Sequence, residues 1–192
     1  MSTASFEGPR RTLTGRRPEM VSRLLDAAVA EIAETGYDGM TVRLVAARAG
    51  VSAASAYSYF AGKDHLLTEV FWRRLALLPP PTFASDALLG ERIEVAMGPV
   101  ALLVAEETEL AAGVTTALLA HDPDVRVLRD QIGGVFAARI GAALGSSLQE
   151  AAAFGLTMTF VGALLSAGMG QLEYHDIPGL LGSFAALLPE DR

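Results

Sequence analysis

Residues 41–60, TVRLVAARAGVSAASAYSYF, place two short helical patterns on either side of a glycine. Thr41 is suited to cap a helix over about 42–49, and Ser52 is suited to cap the helix that follows, to about Phe60. Gly50 between them permits a left-handed turn. Helices this short need a third helix to pack against, and the pattern that precedes them supplies one. The arrangement is that of a helix-turn-helix, whose second helix can enter the major groove of DNA.

The rest of the chain also carries helical spacing, and no stretch alternates with a sustained period of two. We therefore predict an all-α protein. The first helix should run from Pro18 to Gly36, and the fourth from an Asp64 cap to the three prolines at 79–81. Five further helices are expected, over 86–105, 107–120, 123–144, 147–170 and 176–188.

The prolines at 79–81 mark the predicted boundary between two domains. A flexible basic arm is expected over 1–17, a helix-turn-helix domain over 18–78 and a second helical domain over 82–192. Charge follows this division: residues 1–74 hold ten Lys and Arg against eight Asp and Glu, whereas the remainder holds five against fourteen, which gives the net charge of −7. The front of the chain is the part that can approach an anion.

The composition argues against several classes of protein. There is no cysteine, and the histidines at 65, 121 and 175 share no metal-ligand spacing, so no metal and no cofactor is expected. We also expect no enzymatic activity, because the sequence has no Ser-His-Asp arrangement, phosphate loop or paired-carboxylate motif. The N-terminus lacks the apolar stretch of a secretion signal, which favours a cytoplasmic protein.

Residues 151–172 are uncharged and long enough to cross a bilayer. Polar residues such as Thr157 and Ser166 dilute the segment, and Glu150 and Glu173 flank it where a membrane span favours Lys or Arg. We therefore expect no membrane insertion. A helix that is apolar on all faces is otherwise buried in a core or in an oligomer interface.

The second helix of the predicted helix-turn-helix begins with small residues, which let its backbone approach a groove closely. Hydroxyl groups along it can bond to phosphates or base edges, and the helix N-terminus adds its partial positive charge. The candidate contact residues on this helix and beside it are Ser52, Ala53, Ala54, Ser55, Tyr57, Ser58, Tyr59 and Lys63. Tyr59 is equally well placed to pack in the core.

The stretch TVRLVAARAGVSAASAYSYFAGKDHLL resembles the DNA-binding signature of the tetracycline-repressor (TetR) family. The shared features are a Thr-capped helix, an Ala-Gly-Val-Ser turn, a Tyr-x-Tyr-Phe recognition helix and a Lys-[Asp/Glu]-x-Leu start of the next helix. The resemblance covers about residues 18–78. It implies a regulator that binds double-stranded DNA at a palindromic operator, most often as a repressor.

The resemblance also implies individual contacts. Tyr57, Lys63 and Thr41 would contact backbone phosphates, and Arg43 could bind guanine in a bidentate way. Position 58, often His in the family, is Ser here, and position 53, often Lys or Arg, is Ala. Base recognition would then depend more on Arg43, on contact by Ala54 and Ala56, and on the arm, whose arginines either track DNA or merely face solvent.

In the resembled family, the last two long helices form a four-helix interface with the same pair of a second subunit. That comparison implies a homodimer. The residues expected at this interface are Phe154, Gly155, Gly162, Ala163, Ser166, Leu180 and Phe184.

The remaining helices would enclose a pocket for an effector of unknown identity, apolar and short of charge, which suits a lipophilic ligand. The expected lining residues are Met97, Val104, Val114, Leu118, Phe136, Phe154 and Met158. Apolar residues at helical spacing are, however, more often plain core than the lining of a pocket. The alternative function is a helical ligand-binding or membrane-associated protein without specific DNA recognition.

Overall fold

The computed structural model of the chain describes residues 17–145 and 150–188. Within these ranges the chain forms helices and no strand, which confirms the all-α prediction. The helices are α1 Arg17–Gly39, α2 Val42–Arg48, α3 Ala53–Tyr57, α4 Lys63–Ala76, α5 Leu89–Ala101, α6 Thr108–Leu118, α7 Pro123–Leu144, α8 Glu150–Gly168 and α9 Ile177–Ala185. A 3-10 turn, Tyr174–Asp176, precedes α9. The arm predicted over 1–17 falls almost wholly outside the described residues.

Both predicted caps of the helix-turn-helix are present. The hydroxyl oxygen of Thr41 accepts a hydrogen bond from the backbone N–H of Leu44 at 3.2 Å, and that of Ser52 accepts one from Ser55 at 3.1 Å. Gly50, between the two helices, has a φ of +67°, a backbone conformation that residues other than glycine rarely adopt. With α1 and α4, these helices enclose one apolar core.

In this first domain one predicted helix end is confirmed and another differs. Gly36, predicted to end the first helix, has the non-helical angles φ 64° and ψ 177°, so the regular helix breaks there, and one further helical turn follows to Gly39. Glycine adopts this positive φ without strain because it has no Cβ. α3 ends at Tyr57 and not near Phe60, because the chain turns there and carries Phe60 into the core, where it is fully buried.

The start of α4 also differs from the prediction. Its N-cap is Gly62, which provides no side-chain cap, and Asp64 lies inside the first helical turn. The Asp64 carboxylate accepts a hydrogen bond from the Tyr37 hydroxyl at 2.5 Å. Asp64 therefore ties α4 to the end of α1, and the predicted Asp64 cap is wrong.

The second domain packs on the first where α6 crosses α1 and α4. Arg74 of α4 forms an ion pair with Glu107 beside the start of α6, with 3.2 Å between Nη2 and Oε2, and also donates to the Leu103 carbonyl. A Cβ atom added to Gly113 of α6 would lie only 2.3 Å from Cδ1 of Ile32 in α1. The backbone of α6 therefore lies directly on an α1 side chain.

Arg139 of α7 holds the connection between the two domains. The side chain is buried, and it donates hydrogen bonds from Nε to the Ala96 carbonyl at 2.7 Å and from Nη1 to the Pro79 carbonyl at 2.8 Å. Burial lowers the pKa of this guanidinium. Pro79 is the first of the three prolines, so α7 fixes the segment that leads from α4 to α5.

α7 has the predicted bounds of 123–144, whereas the other helices of the second domain are shorter than predicted at their ends. α5 begins only after Leu88, whose N–H donates to the Glu91 carboxylate at 2.9 Å, and residues 102–106 form turns in place of the expected last helical turn. α5 and α9 pack closely, since a Cβ on Gly90 would lie 2.8 Å from the Gly182 carbonyl. The start predicted for α8, at 147, lies outside the described residues.

Candidate DNA-binding surface and effector cavity

The exposed surface of α2 and α3 carries most of the residues predicted to contact DNA. Thr41 and Arg43 are exposed at the start of α2, and Tyr57 is 45% exposed at the end of α3. Along α3, Ser52, Ala54 and Ser58 are exposed, whereas Ala53 and Ser55 are half-buried. These residues lie on two adjacent helices, α2 and α3, on the outside of the first domain.

The serines of α3 are already hydrogen-bonded to one another. The Ser52 hydroxyl donates to the Ser55 hydroxyl at 2.8 Å, and the Ser58 hydroxyl donates to the Ser55 backbone carbonyl at 2.7 Å. Because the Ser58 proton is engaged within the helix, its oxygen is available chiefly as an acceptor. A donor on the DNA, such as the amino group of a base, fits this oxygen better than a phosphate does.

Two predicted contacts on α3 are wrong because the side chains are buried. Tyr59 is 5% exposed and Ala56 is fully buried, and both belong to the apolar core. A five-residue helix followed by a turn presents one narrow face to solvent. Tyr59 and Ala56 lie on the opposite side, so the packing alternative for Tyr59 is the correct one.

Arg43 and Arg48 lie on the same short helix but differ in their partners. Arg48 donates to Glu31 at 2.8 Å and to both oxygens of Glu34, and this hydrogen bonding lowers the pKa of the Glu34 carboxyl. Arg43 is exposed and has no hydrogen bond or ion pair to the described residues. Arg43 is therefore the arginine of α2 whose guanidinium is available to a base edge.

Lys63 lies half-buried at the start of α4, where Tyr37 holds it. Its ammonium donates to the Tyr37 backbone carbonyl at 2.7 Å and lies 3.8 Å from the centre of the Tyr37 ring. An ammonium has three donors, so two of them can still reach a phosphate.

Burial raises the pKa of the Tyr37 hydroxyl, and the hydrogen bond to Asp64 raises it further. No pattern in the sequence predicted that Tyr37 would hold Lys63.

A cavity of about 270 Å³ lies between α4 of the first domain and α5, α6, α7 and α8 of the second. The volume is near the lower end of ligand pockets in general. Its lining includes five of the seven predicted residues, and these are Val104, Val114, Leu118, Phe136 and Met158.

Two predicted lining residues are not part of the cavity wall. Met97 is fully buried in the core, and Phe154 is 67% exposed on the outer surface of α8. Sequence reasoning missed other lining residues, among them Phe71 of α4 and the polar Arg129, Thr115, Thr157 and Tyr174. Hydrophobic spacing marks the buried side of a helix, but it does not say whether the space beyond is filled.

The outer surface of α8 and α9 exposes large apolar side chains. We call this the α8–α9 face, and its members are Phe154, Met158, Leu180, Phe184 and Leu187. Among the other residues predicted at a dimer interface, Gly162 is exposed and Gly155 and Ser166 are half-buried. The prediction was wrong for Ala163, which is buried in the protomer's own core because it lies on the inner side of α8.

α8 is also long and apolar enough to cross a membrane, the one such helix among the described residues. Only 22% of the most apolar 18-residue stretch of α8 is buried within the chain. Apolar surface of this extent in water is usually covered by another protein surface or by lipid. Among residues 17–145 and 150–188, no group of His, Asp and Glu side chains is arranged to hold a metal ion.

Comparison with known proteins agrees with this geometry. Residues 24–70 match the family model described as bacterial regulatory proteins, tetR family. An uncharacterized HTH-type transcriptional regulator of Mycobacterium tuberculosis is 39% identical over 175 residues, which cover 90% of this chain and 82% of the relative. The HTH-type transcriptional repressor KstR of Rhodococcus jostii is 28% identical over 120 residues, 60% of this chain and 55% of KstR.

Solved structures share the fold. The regulator FadR from Bacillus subtilis, crystallised in complex with stearoyl-CoA, superposes with a TM-score of 0.62 over 86% of this chain and 97% of FadR, at 18% sequence identity. The matched segment 24–70 contains α2 and α3 with their exposed contact residues. The chain therefore belongs to the TetR family of helix-turn-helix transcriptional regulators and is a DNA-binding protein.

Proposed function

We propose that this regulator represses transcription by binding a palindromic operator as a homodimer, and that a small lipophilic ligand releases it. The name of the KstR relative, a transcriptional repressor, supports the direction of control. The observation that carries the proposal is the apolar cavity, because its wall includes a residue of α4, the helix that follows the recognition helix α3.

On the DNA side, Arg43 provides the base contact, and the hydroxyls of Thr41 and Tyr57 with the ammonium of Lys63 fix the position of the helices on the backbone. Half or more of protein–DNA hydrogen bonds go to phosphates and sugars, and they position the protein without reading the sequence. The short side chains of Ala53 and Ala54 let α3 approach the bases. One such module recognises few base pairs, so two copies are needed for specificity.

The α8–α9 face is the surface on which we place the second copy. Its Phe154, Leu180 and Phe184 are exposed, and Gly162, which is exposed on α8 as well, is small enough to let two helices approach closely. A twofold axis through this face would pair α8 and α9 of one protomer with the same helices of its partner. This covering also accounts for the apolar character of α8 without a membrane.

Ligand binding is coupled to DNA binding through α4. Phe71 lines the cavity, and the same helix begins with Lys63 and Asp64 beside the recognition helix. On α6, which also lines the cavity, Gly113 contacts Ile32 of α1. A ligand that fits one arrangement of α4 and α6 better than the other shifts the population of the two, and with it the separation of the recognition helices.

The alternative, a helical protein without specific DNA recognition, leaves the exposed Arg43 and the surface of α3 without a role. Membership of a family of transcriptional regulators speaks against it. A regulator of this kind acts in the cytoplasm, where its DNA is, and we assign it no catalytic function.

Selection from a random pool of duplex DNA at near-physiological salt, with light scattering on the same sample, tests the proposal. We expect a palindrome to be enriched. The protein should be a dimer both when it is free and when it is bound to that palindrome. Enrichment of no sequence, or of a single half-site by a monomer, would contradict the proposed mode of binding. Release from the enriched palindrome by a lipophilic ligand would then test the effector.

A further inference from the structure

We propose that the effector carries a carboxylate, and that Arg129 and Tyr174 bind it inside the apolar cavity. This inference rests on the proposed function, in that it names the chemical class of the ligand that would release the operator. Both residues line the cavity, and each has a buried polar atom without a hydrogen-bond partner among the described residues.

Arg129 brings a positive charge to the cavity wall. It lies on α7, and its Nη2 donates to the backbone carbonyl of Ala120, just after α6, at 2.6 Å. This bond holds the guanidinium in place, whereas its Nε is buried without a partner among the described residues. A guanidinium is always charged and its planar array of donors matches a carboxylate. The guanidinium is therefore held in position, while its Nε still lacks a hydrogen-bond acceptor among the described residues.

Tyr174 contributes a second polar atom. It lies in the 3-10 turn before α9, and its hydroxyl is buried and, like Arg129 Nε, makes no hydrogen bond within the described part of the chain. Nearly all buried polar groups in folded proteins have a partner, so an unpaired donor in a cavity wall points to a ligand atom as the missing acceptor. The other hydroxyls of the wall, Thr115 and Thr157, already donate to backbone carbonyls of their own helices.

The chemistry of this pair selects an anionic acceptor. Arg129 offers only donors, and the hydroxyl of Tyr174 can donate as well, so the group that they bind must accept hydrogen bonds. A charge in apolar surroundings is also stabilised far more by an opposite charge than by a neutral dipole. The surface of the cavity is almost entirely apolar, and both unpaired polar atoms are buried behind it, so the polar end of the ligand must pass between the lining side chains to reach them. The ligand is therefore a compact lipophilic body that ends in a carboxylate.

The test compares acids with alcohols of the same length. We would measure the thermal shift and the calorimetric affinity of the full-length protein, without DNA and at neutral pH, for each straight-chain acid from butyrate to dodecanoate and for the matching primary alcohol. We expect at least one acid to bind about tenfold more tightly than its alcohol, the margin that a charged hydrogen bond provides. An alcohol series that equals the acids, or no binding by any acid, overturns the proposal.

Two variants locate the carboxylate. Tyr174→Phe removes an unpaired hydroxyl, so we expect the unliganded protein to keep its melting temperature while acid affinity falls and alcohol affinity does not. Arg129→Met should remove the preference for the acid, with Arg126→Met as the control, because Arg126 is exposed on the same helix and does not line the cavity. Unchanged acid affinity in both Tyr174→Phe and Arg129→Met also overturns the proposal.

The test separates this inference from the proposed function. If the protein enriches a palindrome but responds only to neutral compounds, the carboxylate inference fails and the proposed function stands. If acids bind through Arg129 and Tyr174 but no palindrome is enriched, the cavity assignment stands and the proposed mode of DNA binding fails.

Discussion

Two arginines on α2 have different roles, because Arg43 is available for DNA recognition and Arg48 stabilises the fold. Arg43→Ala should cost roughly 1 to 3 kcal/mol of operator affinity and relax the preference at one base pair, because only an available guanidinium can bind a guanine edge. Arg48→Ala is the matched control, since Arg48 is engaged by Glu31 and Glu34. We expect the control to lower the melting temperature more than it changes base preference. Equal losses on all sequences for Arg43→Ala would refute its role in base recognition.

Tyr37 gives the protein a specific dependence on alkaline pH. Burial and Asp64 raise the pKa of its hydroxyl in the folded protein, whereas the unfolded chain ionises near the ordinary value of 10.0. The stabilisation that the neutral hydroxyl provides is therefore complete below that value and declines as the pH rises from it towards the higher pKa of the folded protein. Melting temperatures of the wild type and Tyr37→Phe should differ most near neutral pH, and the difference should begin to shrink above about pH 10. A difference that does not change with pH would contradict this account.

The contrast between Tyr59 and Tyr57 indicates what the sequence predicted at this scale. The motif located both tyrosines on one short helix, but only the turn after Tyr57 decides which ring faces the core. In the same way, nothing local to Lys63 foretold Tyr37 as its partner, because the two are far apart in sequence and meet through packing. The caps of α2 and α3 could be predicted, whereas the cap at Asp64 was wrong because that carboxylate instead accepts from Tyr37, and contacts between distant segments could not be predicted.

At the scale of helices, the α8–α9 face exposes large apolar side chains, and we propose that a second copy of the chain covers it. Phe154→Glu should convert the dimer to a monomer, because the interface would bury a charge without a partner. Operator affinity should fall although α2 and α3 are unchanged. Leu77→Glu is the control, since Leu77 is 82% exposed at the end of α4, away from α8 and α9. A dimer that persists in Phe154→Glu by light scattering would reject this interface.

Adjacent glycines on α7 offer a test of the cavity. Gly133 lines the cavity, and an added Cβ would meet no atom within 4 Å, which also holds for the exposed Gly134 outside the cavity. Gly133→Leu should occupy the cavity and abolish release of the operator by the ligand while the protein still folds. Gly134→Leu should respond to the ligand as the wild type does. If both variants respond equally in an operator-binding assay, the effector binds elsewhere.

The position of the helices was largely predictable, and their faces were not. Capping residues and prolines indicated where each helix lies, to within a few residues. The sequence could not separate Met97 from Val104, because both are apolar at helical spacing and only the packing of neighbouring helices decides which one meets empty space. Nothing in the sequence marked Arg129 as a residue of the cavity wall, since a lone arginine in a helix is usually exposed to solvent.

At the scale of the whole molecule, the contact between α6 and α1 decides how the two domains fit. Gly113→Ala should lower the melting temperature, because its Cβ would overlap the buried Ile32, and overpacking a core typically costs about 1 to 3 kcal/mol. Gly134→Ala, on an exposed helix surface, should instead raise stability by up to about 1 kcal/mol. A Gly113→Ala variant as stable as the Gly134→Ala control would show that α6 can move away from α1 without loss.

The same contact has a consequence for how this protein can change in evolution. Ile32→Val removes the Cδ1 atom that an alanine at position 113 would strike, so the second substitution should rescue the first. A screen for revertants of Gly113→Ala should accordingly recover smaller residues at position 32, far away in sequence. Among natural relatives, the sizes of residues 32 and 113 should vary inversely. The contact between the two domains would then be conserved as a matched pair of side chains and not as two independent positions.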